Sequence, residues 1–206
     1  METPATLVSQ PSGPASAATL IDHDVADYAV WKRAFDRHVD ARRNAGIIAA
    51  LVNQDAENPN RVNVFLVGSD RAKLAAFVRD TSLMAAMREA GVTGPPLIMD
   101  LTPLEELTQK DRPLAALIIR HEVRDFPAWK AGFDGHADAR RQAGIIGHAL
   151  NRSVRNPNVV VIYLQAATLE ALRAFASAPD LKAVMAAAGV IGAPDLSFIR
   201  SGTWQT

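Results

Sequence analysis

The sequence predicts an α+β fold in which two tandem βαββαβ repeats close into a single pseudo-dimeric α+β barrel. The chain matches itself at an offset of 98 residues, and 34 of the 78 positions in 19–96 are identical to their counterparts. Self-similarity at a fixed period identifies the structural unit, here one small domain per copy. Strands such as residues 47–52 and 159–164 are apolar at consecutive positions, which is typical of sheets covered on both faces. We therefore expect the two sheets to cover each other and close into a barrel.

Each copy begins with a short strand followed by one long helix. In the first copy the strand is predicted at residues 19–23, and the helix runs from its N-cap, Asp27, to about residue 45. Gly46 fits the end of the helix, where a positive φ angle is common. The corresponding features of the second copy are a strand at 116–121, the N-cap Asp125, Pro127 near the helix start, and Gly144 at its end.

A hairpin, a second helical segment and a last strand complete each copy. In the first copy the hairpin strands are predicted at 46–53 and 61–67, joined by an Asn-Pro-Asn turn. The helical segment is expected to break near Thr81, and near Pro179 in the second copy, before a last strand at 96–101. The strands of the second copy are predicted at 144–151, 159–165 and 194–200.

These elements divide the chain into four segments. Residues 1–18 are rich in Pro, Ser, Ala and Gly, and we expect them to be disordered. The first repeat then covers residues 19–101 and the second covers 116–206. The polar segment 102–115 contains two prolines and is predicted to be a surface linker.

Composition excludes several classes of partner. The 22 basic and 22 acidic side chains give a formal net charge of zero, so no overall field favours nucleic acid or an anionic bilayer. No apolar run approaches the roughly 20 residues that span a membrane, and the N-terminus lacks the pattern of a signal peptide. Cysteine is absent, which excludes disulfides and thiolate chemistry. We therefore expect a cytoplasmic protein that binds neither nucleic acid nor membrane, with further homo-oligomerisation left open.

Aromatic and histidine side chains form an apolar stripe on the first helix of each copy. Spacings of three and four place this stripe on the face toward the sheet. The stripes contain Trp31, Phe35 and His38 in the first copy, and Trp129, Phe133 and His136 in the second. A titratable ring on an apolar face suits acid-base chemistry, so His38 and His136 are the catalytic candidates. The alternative is that both histidines are structural and pack against the neighbouring rings.

Two further pairs matched between the repeats complete the candidate substrate site. His23 and His121 end the first strand of each copy, where they either support the pocket or make hydrogen bonds at the strand end. Arg42 and Arg140 flank the stripe, where they either steady an anionic group of the ligand or lie solvated in the last helical turn. The tryptophan and phenylalanine rings of the stripe either wall an aromatic ligand or belong to the core.

The two candidate pockets differ in the helix that carries the stripe. Gly132 and Gly135 stand where the first copy has Ala34 and Arg37. The two pockets therefore need not be equivalent, and a third interpretation gives only one half a functional site.

Both copies contain the pattern His-x-Val-x-Asp-[Tyr/Phe]-x-x-Trp-Lys-x-x-Phe-Asp. Arg-x-x-Ala-Gly, Asn-Pro-Asn and Leu-x-x-x-Met-x-x-Ala-Gly-Val-x-Gly-x-Pro follow in that order. Across residues 19–200 this combination resembles the dimeric α+β barrel superfamily, in particular the antibiotic-biosynthesis monooxygenases and polyketide cyclases. The resemblance implies two ferredoxin-like repeats with a ligand cleft between helices and sheet.

The same resemblance implies a small-molecule enzyme of the cofactor-independent monooxygenase or cyclase type. Its ligand would be small and hydrophobic, aromatic or polyketide-like, and no cofactor is expected. The reaction would begin with proton abstraction from a phenol or an activated carbon. The alternative in this superfamily is a non-catalytic binding or stress-related protein with structural histidines. No phosphate-binding loop, dinucleotide fingerprint or Gly-x-Ser-x-Gly elbow is present, which argues against nucleotide-dependent or serine-hydrolase chemistry.

Metal and haem chemistry are lesser alternatives. A metal site built from His23 and His38 has no local spacing signature, so no metal is expected. Some members of the superfamily bind haem, and the resemblance would then make His136 or His148 the axial ligand. A distinctive haem motif is missing from this sequence.

Overall fold

The structure, a computed structural model, describes residues 17–205. Both copies consist of four strands and four helices in the same order. The first contains β1 (Ala17–Val25), α1 (Tyr28–Arg37), α2 (Val39–Asn44), β2 (Ile47–Asp55), β3 (Arg61–Gly68), α3 (Arg71–Val78), α4 (Thr81–Glu89) and β4 (Val92–Leu107). The second contains β5 (Ala115–Val123), α5 (Phe126–Gly135), α6 (Ala137–Gln142), β6 (Ile145–Ser153), β7 (Val159–Ala166), α7 (Leu169–Ala176), α8 (Pro179–Ala187) and β8 (Val190–Gln205).

The eight strands close into one barrel, as the duplication predicts. Their order around the barrel is β1-β3-β2-β8-β5-β7-β6-β4, and neighbouring strands are antiparallel. The two copies meet where β2 pairs with β8 and where β4 pairs with β6. Closure therefore pairs the outer strands of each copy with those of the other, so that no edge strand is left in the barrel.

The strands that join the copies are longer than the sequence predicts. β4 and β8 each have 16 residues, and the part of β4 beyond Leu101 pairs with β6 from Thr102 to Leu107. The predicted linker at 102–115 was therefore wrong over its first six residues. The strand tolerates Pro103 because the register shifts between Pro103 and Glu105.

The predicted N-terminal disordered segment, 1–18, falls mostly outside the described part of the chain, which starts at Ala17. Ala17 and Ala18 belong to β1, so the predicted segment extended two residues too far. None of the helices between residues 17 and 205 has the length and apolar character needed to cross a bilayer.

The first helix of each copy is interrupted, which the sequence did not predict. α1 ends before His38, whose φ and ψ of −88° and 17° lie outside the helical range, and α2 then begins at Val39. His136 separates α5 from α6 in the same way. At the break, the carbonyl oxygen of Phe35 accepts a hydrogen bond from the backbone of His38 at 3.2 Å and another from Arg42 Nη1 at 2.5 Å.

The predicted helix ends and the second helical break are confirmed. Asp27 accepts a hydrogen bond from the backbone of Val30 at 2.9 Å, and Asp125 caps α5 in the same manner. Gly46 has a φ of +77°, and the second helical segment breaks before Thr81.

Three cores hold the molecule together. In each copy the helices pack on the outer face of the sheet around a buried tryptophan, Trp31 or Trp129. The third core fills the inside of the barrel with side chains from both copies, including Leu20, Leu101 and Ile118.

A buried ion pair crosses this barrel interior. Arg120 Nη1 contacts Asp22 Oδ2, and Arg120 Nη2 lies 2.7 Å from Asp195 Oδ2. The side chains of Arg120 and Asp22 are 9% and 12% exposed. Asn63 Nδ2 donates to the other oxygen of Asp22 at 2.5 Å, so the carboxylate is held from both sides.

Candidate functional site

A cavity of about 470 Å³ lies between the helices and the outer face of the sheet in the first copy. Its wall is mostly apolar, and β1, α1, β3, α3, α4 and β4 all contribute to it. The residues that line it include Trp31, Phe35, His23, His38, Arg42, Arg88 and Ile98. A volume of this size is typical of sites that enclose a small organic ligand.

The equivalent cleft of the second copy encloses only about 60 Å³. Gly132 allows α8 to approach α5 closely, because a Cβ at this position would lie 3.3 Å from the Cβ of Ala188. Val184 lines the cleft where the first copy has Ala86, and Phe175 is buried where Phe77 is only half-buried. The two copies therefore share residues but not a ligand-sized space.

His38 lines the copy-one cavity with one ring nitrogen already committed. Its Nδ1 donates to the carbonyl oxygen of Ala34 at 2.8 Å. Because a carbonyl can only accept, this bond places a proton on Nδ1, so that the neutral ring has its lone pair on Nε2. The side chain is half-buried. A neutral imidazole held in this tautomer has the form that a general base requires.

His23 is a second histidine in the same wall and lies beside Trp31. The two ring centroids are 5.1 Å apart. Both ring nitrogens of His23 and Nε1 of Trp31 are buried without a hydrogen-bond partner in residues 17–205. The alternative expectation that His23 and His121 make hydrogen bonds at the strand end is therefore wrong, since the nitrogens of His121 also lack partners in this range. Unpaired buried polar atoms cost free energy, which a polar ligand group could recover.

Burial keeps His23 and His121 neutral. It lowers the pKa of each to about 4, although the nearby Asp22 and Asp24 act in the opposite direction on His23. The ordinary value of an unfolded histidine is 6.5. In the folded protein both rings are therefore uncharged at pH 7, and each carries one donor and one acceptor.

We expect the folded protein to lose stability as the pH falls from about 6.5 to 4. In this window the unfolded chain takes up protons at His23 and His121 while the folded chain does not, which favours unfolding. The loss should be on the order of 2–3 kcal/mol per histidine at pH 4. Urea unfolding at several pH values measures it. The double variant His23→Phe/His121→Phe should show a weaker acid dependence than the wild type, and an unchanged dependence would contradict the assignment.

The expectation that Arg42 and Arg140 are solvated is wrong. Arg42 is 4% exposed, its guanidinium lies 3.9 Å from the centre of the Phe35 ring, and burial lowers its pKa while Asp36 raises it. Arg140 is also buried, 3.7 Å from the ring of Phe133. Cation–π contact and the carbonyl oxygen at the helix break stabilise both arginines at these positions.

The last strand of each copy contributes a polar side chain that contacts residues beside the pocket of the other copy. The sequence analysis did not predict these contacts. Gln205 of β8 accepts a hydrogen bond from Arg42 at 3.0 Å and donates to Asp36 at 2.9 Å. In the second copy, Glu105 of β4 contacts Lys130 at 2.6 Å and His148 at 3.1 Å. No local pattern signals these contacts, because Arg42 and Gln205 are 163 residues apart in the sequence.

The second pair of helices also contributes lining residues that the sequence analysis did not select. Met84, Met87 and Arg88 of α4 line the cavity together with Phe77 of α3. The repeat-matched apolar residues Phe77 and Met87 were the available signal. Periodicity alone could not select them for the site, because it does not distinguish a core position from a cavity wall.

Neither a metal site nor the suggested haem ligands find support in the geometry. Within residues 17–205, no group of three or more His, Asp and Glu side chains is placed to hold a metal ion. His148 Nε2 is bonded to Glu105, and the cleft beside His136 is far smaller than a porphyrin ring requires. These two histidines therefore do not fit as haem ligands in this conformation.

The chain has the fold of a dimeric α+β barrel, with both halves on one chain. No protein-family model matches the chain, and no curated protein sequence matches it significantly. Solved structures do match. An anthrone oxidase-like protein has a TM-score of 0.66 at 14% identity, with 92% of each chain covered. A monooxygenase-like protein from Listeria innocua has a TM-score of 0.53 at 9% identity, over 89% of this chain and 94% of that one.

A third solved structure is a chlorite dismutase from Candidatus Nitrospira defluvii in complex with imidazole. Its TM-score is 0.57 at 12% identity, and 92% of each chain is covered. At these identities the three structures confirm the barrel fold with its ferredoxin-like halves, and fold alone does not assign chemistry.

Proposed function

We propose that the chain is a cofactor-independent monooxygenase that oxidises an aromatic ligand in the cavity of the first copy. The observation that carries the proposal is His38, whose Nε2 lone pair is available at the wall of an apolar cavity of about 470 Å³. The likeness to an anthrone oxidase-like and a monooxygenase-like structure supports the reaction class. The cytoplasm is the proposed location.

The first step of the proposed reaction transfers a proton from the ligand to His38. His38 Nε2 takes a proton from a phenol or from the acidic CH₂ group of an anthrone-like ring system, which leaves a delocalised anion. The unpaired Nε1–H of Trp31 and the neutral ring of His23 are the groups available to bind an oxygen of this anion.

The anion can then react with dioxygen without a resident cofactor. Electron transfer to O₂ and recombination at the ring carbon form a C–O bond, and His38 returns its proton to the peroxide. Loss of water converts the CH–OOH group to C=O, so CH₂ and O₂ become C=O and H₂O. The reaction balances with no external reductant, and the apolar wall excludes bulk water from the reactive anion.

The location of the site is tested by filling the cavity. Ile98→Trp adds volume to the cavity wall, and we expect it to weaken the binding of anthrone by about tenfold. Leu196→Trp is the matched control, because Leu196 is the counterpart of Ile98 in the second copy and is 38% exposed. Isothermal titration measures both variants, and oxygen consumption with anthrone measures turnover.

The outcome separates the enzyme from the non-catalytic alternative. Equal weakening by the two tryptophan variants would contradict a site in the first copy. Binding of anthrone without oxygen consumption, by contrast, would favour the binding protein with structural histidines.

A further inference from the structure

The charged groups that line the copy-one cavity are all basic. Arg42 and Arg88 contribute guanidinium groups, whereas no aspartate or glutamate within residues 17–205 lines the cavity. His23 is neutral at pH 7 because burial lowers its pKa to about 4. An apolar cavity with only cationic charges at its wall is complementary to a hydrophobic ligand that carries a negative charge.

Arg42 and Arg88 differ in whether their charge is already compensated by neighbouring groups. Arg42 is bonded to Phe35 and Gln205, and the nearby Asp36 compensates part of its charge. Arg88 lies in the last turn of α4 and is exposed at the cavity wall, and its guanidinium group makes no ion pair or hydrogen bond with another described residue. The cation available to a ligand is therefore Arg88.

The second copy has neither this arginine nor a ligand-sized cavity. Ala186 occupies the position equivalent to Arg88, and the cleft of this copy encloses only about 60 Å³. Arg140, the counterpart of Arg42, is retained and buried in a similar way. The buried arginine thus belongs to the architecture of both copies, while Arg88 is present only where the cavity is open.

We infer that the ligand of the copy-one cavity is an aromatic anion, whose rings occupy the apolar space and whose ionised acid group pairs with Arg88. This inference rests on the proposed function, since it names the chemical class of ligand for the same site. The acid group lies at the α4 side of the cavity, and the reacting ring lies toward His38, at the break between α1 and α2.

Two fluorescent probes that differ by one charged group test the inference. 8-Anilinonaphthalene-1-sulfonate and N-phenyl-1-naphthylamine share their ring system, but only the first carries an anionic group. We expect the full-length protein to bind the sulfonate at least about fivefold more tightly at low ionic strength. Arg88→Gln should remove this preference without weakening the neutral probe. Arg33→Gln, an exposed arginine of α1 outside the cavity wall, is the matched control and should keep the preference.

Each result has a distinct meaning. Equal affinity for the two probes, or an Arg88→Gln variant that loses both equally, would overturn the anionic ligand while leaving the cavity as a binding site. If Ile98→Trp changes the binding of neither probe, the probes bind outside the cavity and this inference fails. The copy-one site itself is contradicted only if Ile98→Trp also leaves the binding of anthrone unchanged. The inference is supported if the protein prefers the anionic probe, if Arg88→Gln abolishes this preference, and if 0.5 M salt weakens it.

Discussion

His38→Gln is expected to lower the turnover of anthrone by roughly 1,000-fold, because glutamine has no basic nitrogen to replace Nε2. Ligand binding should change by no more than about threefold, since His38 forms only a small part of a largely apolar wall. Oxygen consumption measures turnover, titration measures binding, and circular dichroism verifies the fold. A large fall in kcat with an intact fold and nearly normal binding is the signature of a lost base.

His136→Gln is the matched variant in the second copy. The cleft beside His136 encloses about 60 Å³, so we expect turnover to stay within about twofold of the wild type. If both variants halve turnover, two working sites are present and the assignment to the first copy is wrong. If neither changes turnover, the two histidines are structural and the base lies elsewhere.

Arg120→Met is expected to reduce the free energy of unfolding at pH 7 by about 3 kcal/mol, the largest effect expected here from a single substitution. The substitution leaves the carboxylate of Asp22 inside the barrel with Asn63 as its remaining partner. Burying an uncompensated charge costs much more than the intact pair contributes. Urea unfolding at pH 7 measures the loss, and Arg155→Met, at an exposed arginine, is the control and should cost less than about 0.5 kcal/mol.

A second substitution distinguishes lost charge compensation from lost packing. Asp22→Asn removes the stranded charge, so the double variant Asp22→Asn/Arg120→Met should be more stable than Arg120→Met alone. If the two substitutions destabilise additively, Asp22 and Arg120 are not coupled and the reading of the barrel interior is wrong.

The sequence was sufficient to predict the architecture because the chain contains two copies of the same repeat. A 98-residue offset identifies the unit, and consecutive apolar residues in the strands indicate sheets covered on both faces. The limits of the strands were less predictable. Residues 102–107 look like a polar linker, and they form a strand only because β6 supplies pairing partners that no local pattern reveals.

The candidate site was predictable in part. Helical spacing and the repeat selected Trp31, Phe35 and His38, and all three line the copy-one cavity. The burial of Arg42 was not predictable, because it depends on a break in the helix and on Gln205 at the far end of the chain.

The difference in volume between the two pockets also could not be predicted from the sequence. Gly132 was recognised as a difference between the copies, but its effect depends on how closely α8 then approaches α5. Cavity volume is a property of helix placement, which a shared residue pattern does not specify.

The ion pair inside the barrel bears on how such a chain can evolve. Asp22 and Arg120 occupy equivalent positions of the two repeats, 98 residues apart, and they meet each other. In a symmetric assembly of two first copies, two carboxylates would face one another, and two second copies would oppose two guanidinium groups. With both repeats on one chain, this position is not bound by symmetry and can hold opposite charges. If either repeat formed a homodimer by itself, like charges would meet inside the barrel and destabilise the assembly.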